Sequence, residues 1–294
     1  MKNAINYYYN LNPIDIHQKN RMYKFNINNE YYYLYEVKED LKYIQNIYNL
    51  NLYLNRRGIY TIQIELNNQN NITTLINQTN YVLLKSMINL ERIITIDDII
   101  LFNNATKGIE YNFNRRDNWY NLWINKVDYF EYQINELETK YPLIKESFNY
   151  FSGITETAIS LLFNMEIKPT LCICHNRIKK DTTLFDLYNP FNFIIDSNIR
   201  DIAEYIKSEE SYQLVEKIVK NNNLSTNELR LLFIRMLYPS YYFDKYEEII
   251  EQNKDENEIK EIINKVNQYE SLIKKTYILL KDTCLLPDID WLIK

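Results

Sequence analysis

Residues 171–207 read LCICHNRIKKDTTLFDLYNPFNFIIDSNIRDIAEYIK, and most of the fold prediction depends on this stretch. A short apolar run ends at His175, one of only two histidines, and a second apolar run ends at Asp196. Short apolar runs bounded by polar and turn residues are typical of buried strands. The stretch therefore predicts two strands that each end on a polar side chain, followed by a helix that begins near Arg200.

Composition limits the class of protein. The chain has 294 residues, 46% of them hydrophobic, which is enough to bury a core in one large domain or two modest ones. The formal net charge is −5, and Lys and Arg are interspersed with acids, which argues against nucleic-acid binding. The N-terminal sequence lacks the pattern of a signal peptide, and no apolar segment is long enough for a membrane span, so we expect a cytoplasmic site of synthesis.

The cysteines predict a reducing compartment, because three thiols cannot form a disulfide framework. Cys172, Cys174 and His175 raise the question of a zinc site. If residues 170–174 form a strand, the two thiols share one face and His175 points to the other, while Cys284 lies far away in sequence. We therefore expect buried structural thiols and no metal.

The N-terminal part of the chain has the pattern of a small antiparallel sheet. Residues 22–37 alternate and are interrupted by Asn28-Asn29, which is typical of a β-hairpin. Residues 39–57 have helical spacing that ends at Arg56-Arg57-Gly58, where cations and Gly favour a helix C-terminus. Three further strands are predicted within residues 59–66, 72–76 and 81–85. These elements predict a five-stranded layer with one helix over residues 1–86.

The remainder, residues 87–294, is mostly helical in pattern. Helices are predicted over residues 119–137, 154–165, 225–237 and 258–281. Ser225 and Glu228 form a capping-box signature, and Pro239 should end that helix. The spacing of Trp119 and Trp123 favours a place in the core. The predicted fold class is α+β, with two lobes.

Seven segments carry a resemblance to a known family. They are YYYLYEV (31–37), NWYNLWINKVDYFE (118–131), YFSGITETAISLL (150–162), TLCICHNRI (170–178), FIIDSNIRDIAEYIK (193–207), LRLLFIRMLYPSYYFDKYE (229–247) and LPDIDWL (286–292). In this order they resemble the YutH kind of kinase-like spore coat proteins of endospore-forming bacteria, which are related to aminoglycoside phosphotransferases. The resemblance implies a bilobal protein-kinase-like fold and a role in the spore coat.

The resemblance also implies positions for phosphoryl transfer, which needs a Lys on the phosphates, a Glu that holds it, a base Asp, and an Asn and an Asp on Mg²⁺. Lys38, just past a strand, is the candidate phosphate Lys, with a solvated surface Lys as the alternative. Asp196, 21 residues after His175, is the candidate metal-binding Asp, with an N-cap or turn Asp as the alternative. Arg177 stands in the place of the base, and Thr182 in that of the Asn.

Other parts of the phosphotransferase pattern are also missing. The middle of the predicted helix 39–57 offers Gln45 and Asn49 where an ion-pair Glu would be expected. The first hairpin has FNINNE in place of a Gly-rich loop, so the backbone has no special means of approaching phosphates. The loop His175, Asn176, Arg177 is therefore interpreted as degenerate, with no catalytic residue.

Structural roles are predicted for four residues. By resemblance, Asp201 should accept hydrogen bonds from the loop at 175–178, with Arg200 and Glu204 helping to hold the fold. Trp291 near the C-terminus should dock on the helices at 229–237 and 258–281, because an exposed Trp leaves a large apolar surface in water.

These observations favour a catalytically inactive kinase-like protein of the spore coat, made in the mother-cell cytoplasm, which binds other coat proteins and needs no cofactor. The alternative is a phosphotransferase using ATP and Mg²⁺ with a displaced base, for which Asp181 or Asp186 would have to converge with Asp196 between the lobes. A third hypothesis is a small-molecule binding protein that retains the cleft alone.

Overall fold

The computed structural model describes residues 1–19, 22–136, 140–164, 170–221 and 223–293. Contacts divide the chain into a first unit, Met1–Asn114 with Lys180–Ile194, and a second unit, Arg115–Lys179 with Ile195–Lys294. This division differs from the predicted boundary between residues 86 and 87. The reason lies in backbone hydrogen bonds that tie residues 90–94 to 182–185, such as Ile94 N–H to the Thr182 carbonyl at 2.9 Å.

The strands, in chain order, are β1 His17–Lys19, β2 Met22–Ile27, β3 Glu30–Val37, β4 Gln63–Glu65, β5 Thr74–Ile76, β6 Thr79–Ser86, β7 Leu171–His175 and β8 Phe193–Ser197. The first six form one antiparallel sheet in the order β1-β2-β3-β6, with β4 and β5 both pairing with β6. The predicted five-stranded layer thus gains β1 at its edge. β7 and β8 form a separate two-stranded sheet.

The helices, in chain order, are α1 Lys2–Tyr9, α2 Leu41–Arg56, α3 Ile96–Ala105, α4 Trp119–Glu136, α5 Pro142–Asn164, α6 Leu184–Tyr188, α7 Arg200–Glu209, α8 Tyr212–Asn221, α9 Thr226–Leu237, α10 Ser240–Gln252, α11 Lys260–Asn264, α12 Val266–Cys284 and α13 Asp290–Ile293. Among the described helices, none combines the length and apolar content that would let it cross a membrane.

Local sequence signals explain most of the first unit. The β2–β3 hairpin turns through Asn28 (φ 51°) and Asn29 (φ 65°), the positive values that a tight two-residue hairpin requires. The Asp40 side chain accepts a hydrogen bond from Tyr43 N–H (2.8 Å) at the start of α2, and Gly58 (φ 74°) follows its end. The predictions of the hairpin and of this helix are confirmed.

One core cluster of the first unit lies between α1 and the sheet. Ile5 of α1, Phe25, Leu34 and Leu83 are buried in one cluster, and α1 contributes further half-buried side chains to it. Helix α1, which is only eight residues long, was not predicted from the sequence.

Two helices of the second unit differ from their predicted bounds. Helix α5 begins at Pro142, not at residue 154, and Gly153 lies in its interior; buried residues such as Phe148 and Phe151 continue the apolar face through it, and one Gly costs only about 1 kcal/mol. The predicted helix 258–281 is interrupted: a 3-10 turn and α11 precede α12, and Lys265 between them leaves helical geometry (φ −94°, ψ 3°).

The C-terminal helix packs on the second unit next to Trp291, the residue that the sequence predicted to dock. Trp291 is 39% exposed, whereas Leu292 is 1% exposed and Ile289 is also buried. Leu292 lies in this short helix, which packs on α12, and Ile289 directly precedes the helix. The sequence predicted Trp291 as the docking residue, and the structure buries Leu292 and Ile289 more completely than Trp291.

Candidate functional site

The side chain of Asp196 lies at the centre of a buried polar cluster in the second unit. Its Oδ1 accepts hydrogen bonds from the Trp119 indole Nε1 (2.7 Å) and from the Arg235 guanidinium (2.7 Å). Its Oδ2 accepts one from the Arg200 guanidinium (2.8 Å). The carboxylate is fully buried, so these partners take the place of water.

Four elements bring this cluster together. Strand β8 holds Asp196 in the chain, α4 begins at Trp119, α7 begins at Arg200, and α9 carries Arg235. The Arg235 guanidinium also lies 4.6 Å from the centre of the Trp119 ring, which is favourable cation–π geometry. The cluster is thus a junction where three helices meet one strand.

The cluster carries more positive than negative charge at its centre. Two guanidinium groups face one carboxylate, and Arg235 is 3% exposed. Burial alone would lower the pKa of Arg200, but the negative charges of Asp196, Glu204 and Asp201 outweigh it and raise that pKa. Arg200 therefore remains cationic, and the carboxylate of Asp196 is held between the guanidinium groups of Arg200 and Arg235.

His175 is held in place by hydrogen bonds to Asp201. Its Nδ1 lies 2.6 Å from Asp201 Oδ2, and its backbone N–H donates to Asp201 Oδ1 at 3.2 Å. Arg200 donates to the carbonyls of His175 and Asn176, both at 3.3 Å. The start of α7 thereby fixes the end of β7 and the first residue after it, in the manner that the resemblance implied for Asp201.

Arg177 forms an ion pair with Asp244 of α10, and it also donates to the carbonyl of Asn176 (2.8 Å). Arg177 lies at the wall of a cavity of about 270 Å³ within the second unit. The aromatic rings of Tyr241 and Tyr269 form part of the other walls. The place predicted for a catalytic base therefore holds a cation whose charge is already neutralised.

Glu204 forms a second, partly buried ion pair with Lys207 beside this cavity. Its Oε1 accepts from Lys207 (2.9 Å) and its Oε2 from the Ser240 hydroxyl (2.6 Å). Lys207 also donates to the carbonyl of Tyr238 (2.9 Å). Burial opposes ionisation of Glu204, but the Lys207 charge and these hydrogen bonds outweigh it and lower the pKa of Glu204 to about 2.

The candidates in the first unit are engaged in local structure or face solvent. Lys38 is exposed in the segment after β3. The Gln45 side chain donates to that of Asn49 (3.2 Å) on the exposed surface of α2. Asp186 accepts hydrogen bonds from the backbone and hydroxyl of Thr183 (3.1 and 2.7 Å) in the capping box of α6, and Asp181 is exposed.

The thiols of β7 contact each other inside the second unit. The Cys172 and Cys174 sulfurs are 3.5 Å apart, both residues are fully buried, and Cys174 donates to the Ser197 carbonyl (3.1 Å). Burial raises the pKa of the Cys174 thiol. His175 is turned towards Asp201, and within the described parts of the chain no three His, Cys, Asp or Glu side chains are grouped as metal ligands.

Sequence reasoning missed Trp119 and Arg235 as members of the site. Trp119 was predicted only to pack, and its burial confirms that, but its indole also donates to Asp196. Arg235 stands in the apolar run LRLLFIRML, where neighbours on both sides are buried. A cation on a buried helix face needs an anionic partner, and this signal in the sequence could have pointed to Asp196.

The family model "Spore coat putative kinase YutH" matches residues 2–276. The chain belongs to this family. A relative, the endospore coat-associated protein YutH of Bacillus subtilis (strain 168), is 25% identical over 226 residues, which cover 65% of this chain and 67% of the relative. The resemblance inferred from the sequence is therefore confirmed.

Solved structures share the fold. An aminoglycoside phosphotransferase from Alicyclobacillus acidocaldarius has a TM-score of 0.63 at 10% identity, over 93% of this chain and 92% of that one. The choline kinase LicA from Streptococcus pneumoniae has a TM-score of 0.53 at 12% identity, over 94% and 96% of the two chains. At this identity the likeness shows the fold alone: the chain has the predicted α+β, two-lobe, protein-kinase-like fold.

Proposed function

We propose that this protein is a catalytically inactive, kinase-like component of the bacterial spore coat that acts in coat structure or assembly through contacts with other coat proteins. It is made in the cytoplasm of the mother cell and then incorporated into the coat. The relative in Bacillus subtilis is described as coat-associated, and membership in one family supports the same location for this chain.

The main support for the proposed loss of catalysis is the arrangement of side chains around Asp196. Mg²⁺ requires oxygen ligands with free lone pairs in near-octahedral geometry. Here both carboxylate oxygens already accept hydrogen bonds from Arg200, Arg235 or Trp119, and a cation at this carboxylate would lie against two guanidinium groups. The residues present do not fit a magnesium site, since the arginines supply the positive charge themselves.

Arg177, which stands in the place of the catalytic base, also supports the proposed loss of catalysis. A base must accept a proton from the attacking hydroxyl, and a guanidinium cannot do so. Asp244, its partner, is neutralised by the ion pair, and Asp186 is committed to the cap of α6. None of these carboxylates favours the alternative of a displaced base.

Nucleotide binding tests the loss of catalysis. We expect isothermal titration calorimetry with Mg-ATP to show no binding at micromolar concentrations, because two arginines already hold the Asp196 carboxylate and the first hairpin has FNINNE in place of a Gly-rich phosphate loop. Mg²⁺-dependent ATP binding that Asp196→Asn abolishes, and that the exposed control Asp128→Asn retains, would contradict the proposal.

Incorporation into spores tests the coat role. In the spore-forming host, a tagged wild-type protein and the Lys38→Ala variant should both be recovered in coat extracts, because the proposed role does not use the candidate phosphate Lys. Loss of Lys38→Ala protein from the coat, with unchanged thermal stability, would instead indicate that phosphate binding at Lys38 is required. Absence of the wild-type protein from the coat would refute the coat role itself.

A further inference from the structure

An open cavity of about 460 Å³ lies in the first unit, between the C-terminal end of α1, the start of α2, the loop before β5, and β5 itself. Thirteen residues line it, and none of them is Lys, Arg, Asp or Glu, although a quarter of the whole chain is charged. Its volume falls within the range of small-molecule sites. The cavity thus combines ligand size with an uncharged wall.

One buried residue fixes the loop that forms this wall. Asn67 is 5% exposed, and its Oδ1 accepts from the backbone N–H of Gln69 and of Asn71, both at 3.0 Å. Its Nδ2 donates to the Thr73 carbonyl (3.3 Å) and the Thr74 hydroxyl (3.0 Å). Because a single side chain makes four hydrogen bonds to its own loop, the loop is held in one conformation before any ligand arrives.

The neighbouring residue ties the loop to α1. Asn68 N–H donates to the Tyr8 carbonyl (2.7 Å), and its side chain donates to the Tyr7 carbonyl (2.6 Å). These bonds satisfy carbonyls at the end of α1 and fix the backbone of Tyr8, a residue that lines the cavity. The loop and the end of α1 are therefore held together as parts of one wall.

Polar side chains in the cavity have hydrogen-bonding capacity left over. Gln69, Asn70, Asn71 and Asn80 line it and are exposed, and their side-chain amides make no hydrogen bond to any described residue. Each amide offers two N–H donors and a carbonyl acceptor. Leu75, which is 61% exposed, adds an apolar surface next to them.

We propose that this cavity binds a neutral carbohydrate. Without a cation or a carboxylate in its wall, it has nothing to neutralise a phosphate group or a metal ion. A purely apolar ligand would leave the amides unpaired, whereas neighbouring sugar hydroxyls both donate and accept. The apolar C–H face of a sugar ring suits contact with Tyr8 and Leu75. The site lies outside the Asp196 cluster and does not depend on the loss of catalysis.

Saturation-transfer NMR with the full-length protein tests this site. The probes are glucose, galactose, mannose and N-acetylglucosamine with their β-1,4-linked dimers. We expect at least one sugar to bind, and its Kd to rise about tenfold in the double variant Asn71→Ala, Asn80→Ala, which removes amides that face the cavity. Gln18→Ala, an exposed amide in edge strand β1, should leave the Kd unchanged.

Three results would overturn the carbohydrate assignment. The first is that no sugar of the panel binds, and the second is that the double variant binds as tightly as the wild type. The third is that a neutral, acetylated tripeptide amide displaces the sugar at equal concentration, which would identify the cavity as a peptide site. Both substituted amides are exposed and lack internal partners, so we expect the variant to keep the wild-type melting temperature.

Discussion

Asp196 and Asp201 lie on either side of the start of α7, and both are fully buried. Asp196 binds side chains of other helices, whereas Asp201 binds the backbone and imidazole of His175. A buried carboxylate is tolerated only with such partners. The residues that a phosphotransferase would use for chemistry therefore serve here to join β7, β8 and the helices around them.

Replacement of Asp201 by Ala tests this structural role. The variant would leave the His175 N–H and imidazole buried without their partner, so we expect a loss of about 1 to 3 kcal/mol in the free energy of unfolding. Urea unfolding of the variant and of the exposed control Asp128→Ala measures the difference. An unchanged midpoint for Asp201→Ala would show that the hydrogen bonds to His175 do not stabilise the protein.

Glu204 gives a pH-dependent prediction. Its pKa falls from 4.5 to about 2 on folding, so its ionised form contributes stability above pH 4.5, and this contribution is lost as pH falls towards about 2. Glu204→Gln should therefore destabilise the protein by on the order of 3 kcal/mol near neutral pH. The difference from wild type should shrink when urea unfolding is repeated near pH 3. A difference that is independent of pH would contradict this assignment.

The roles of some individual residues could be predicted from the sequence, and those of others could not. The role of Asp201 was accessible by resemblance, because Arg-Asp-Ile-Ala follows the second strand of the opening stretch. The convergence of Trp119, Asp196 and Arg235 was not, since these residues are 77 and 39 positions apart and their contact depends on how whole helices pack. Local patterns carry no information on such distances.

At the scale of elements, local signals were reliable where one residue type meets a backbone requirement. Asn28-Asn29 turns a hairpin, and Ser225 with Glu228 caps α9 as predicted. The predicted helix bounds were wrong where tertiary packing outweighs local helix propensity. The helix predicted to begin at residue 154 instead begins at Pro142 and runs through Gly153, and the break at Lys265 has no Gly or Pro to signal it.

The C-terminal helix α13 provides a test with two adjacent residues. Leu292 is buried and Trp291 is 39% exposed, so Leu292→Ala should lower the free energy of unfolding by about 2 kcal/mol and Trp291→Ala by clearly less. Urea unfolding of both variants measures the order. If Trp291→Ala lowers the free energy of unfolding more than Leu292→Ala does, Trp291 is the main docking residue, as the sequence predicted.

At the scale of the whole molecule, the sequence predicted two lobes and the family but not the composition of the first unit. That unit contains Lys180–Ile194, which follows β7 in the chain. The segment is joined to the sheet side by backbone bonds, including Ile62 N–H to the Tyr188 carbonyl (3.0 Å), and by contact of the Tyr33 and Phe185 rings. Composition and periodicity cannot reveal that a segment returns to an earlier unit.

The returning segment leads to a prediction about fragments. Residues 1–114 joined by a flexible Gly/Ser linker to 180–194 should unfold cooperatively in urea, because the linked segment restores backbone hydrogen bonds and covers buried residues such as Leu90 and Ile94. Residues 1–86 alone, the originally predicted lobe, should show no cooperative transition.

A third fragment, with the 180–194 sequence scrambled behind the same linker, controls for chain length and composition. It should behave like residues 1–86, since it offers the same atoms without the order that places Thr182 opposite Ile94 and Phe185 opposite Tyr33. If residues 1–86 unfold cooperatively with the same midpoint as the linked fragment, the boundary of the first folding unit lies at residue 86, as the sequence predicted. The segment 180–194 would then cover the first unit without being part of its core.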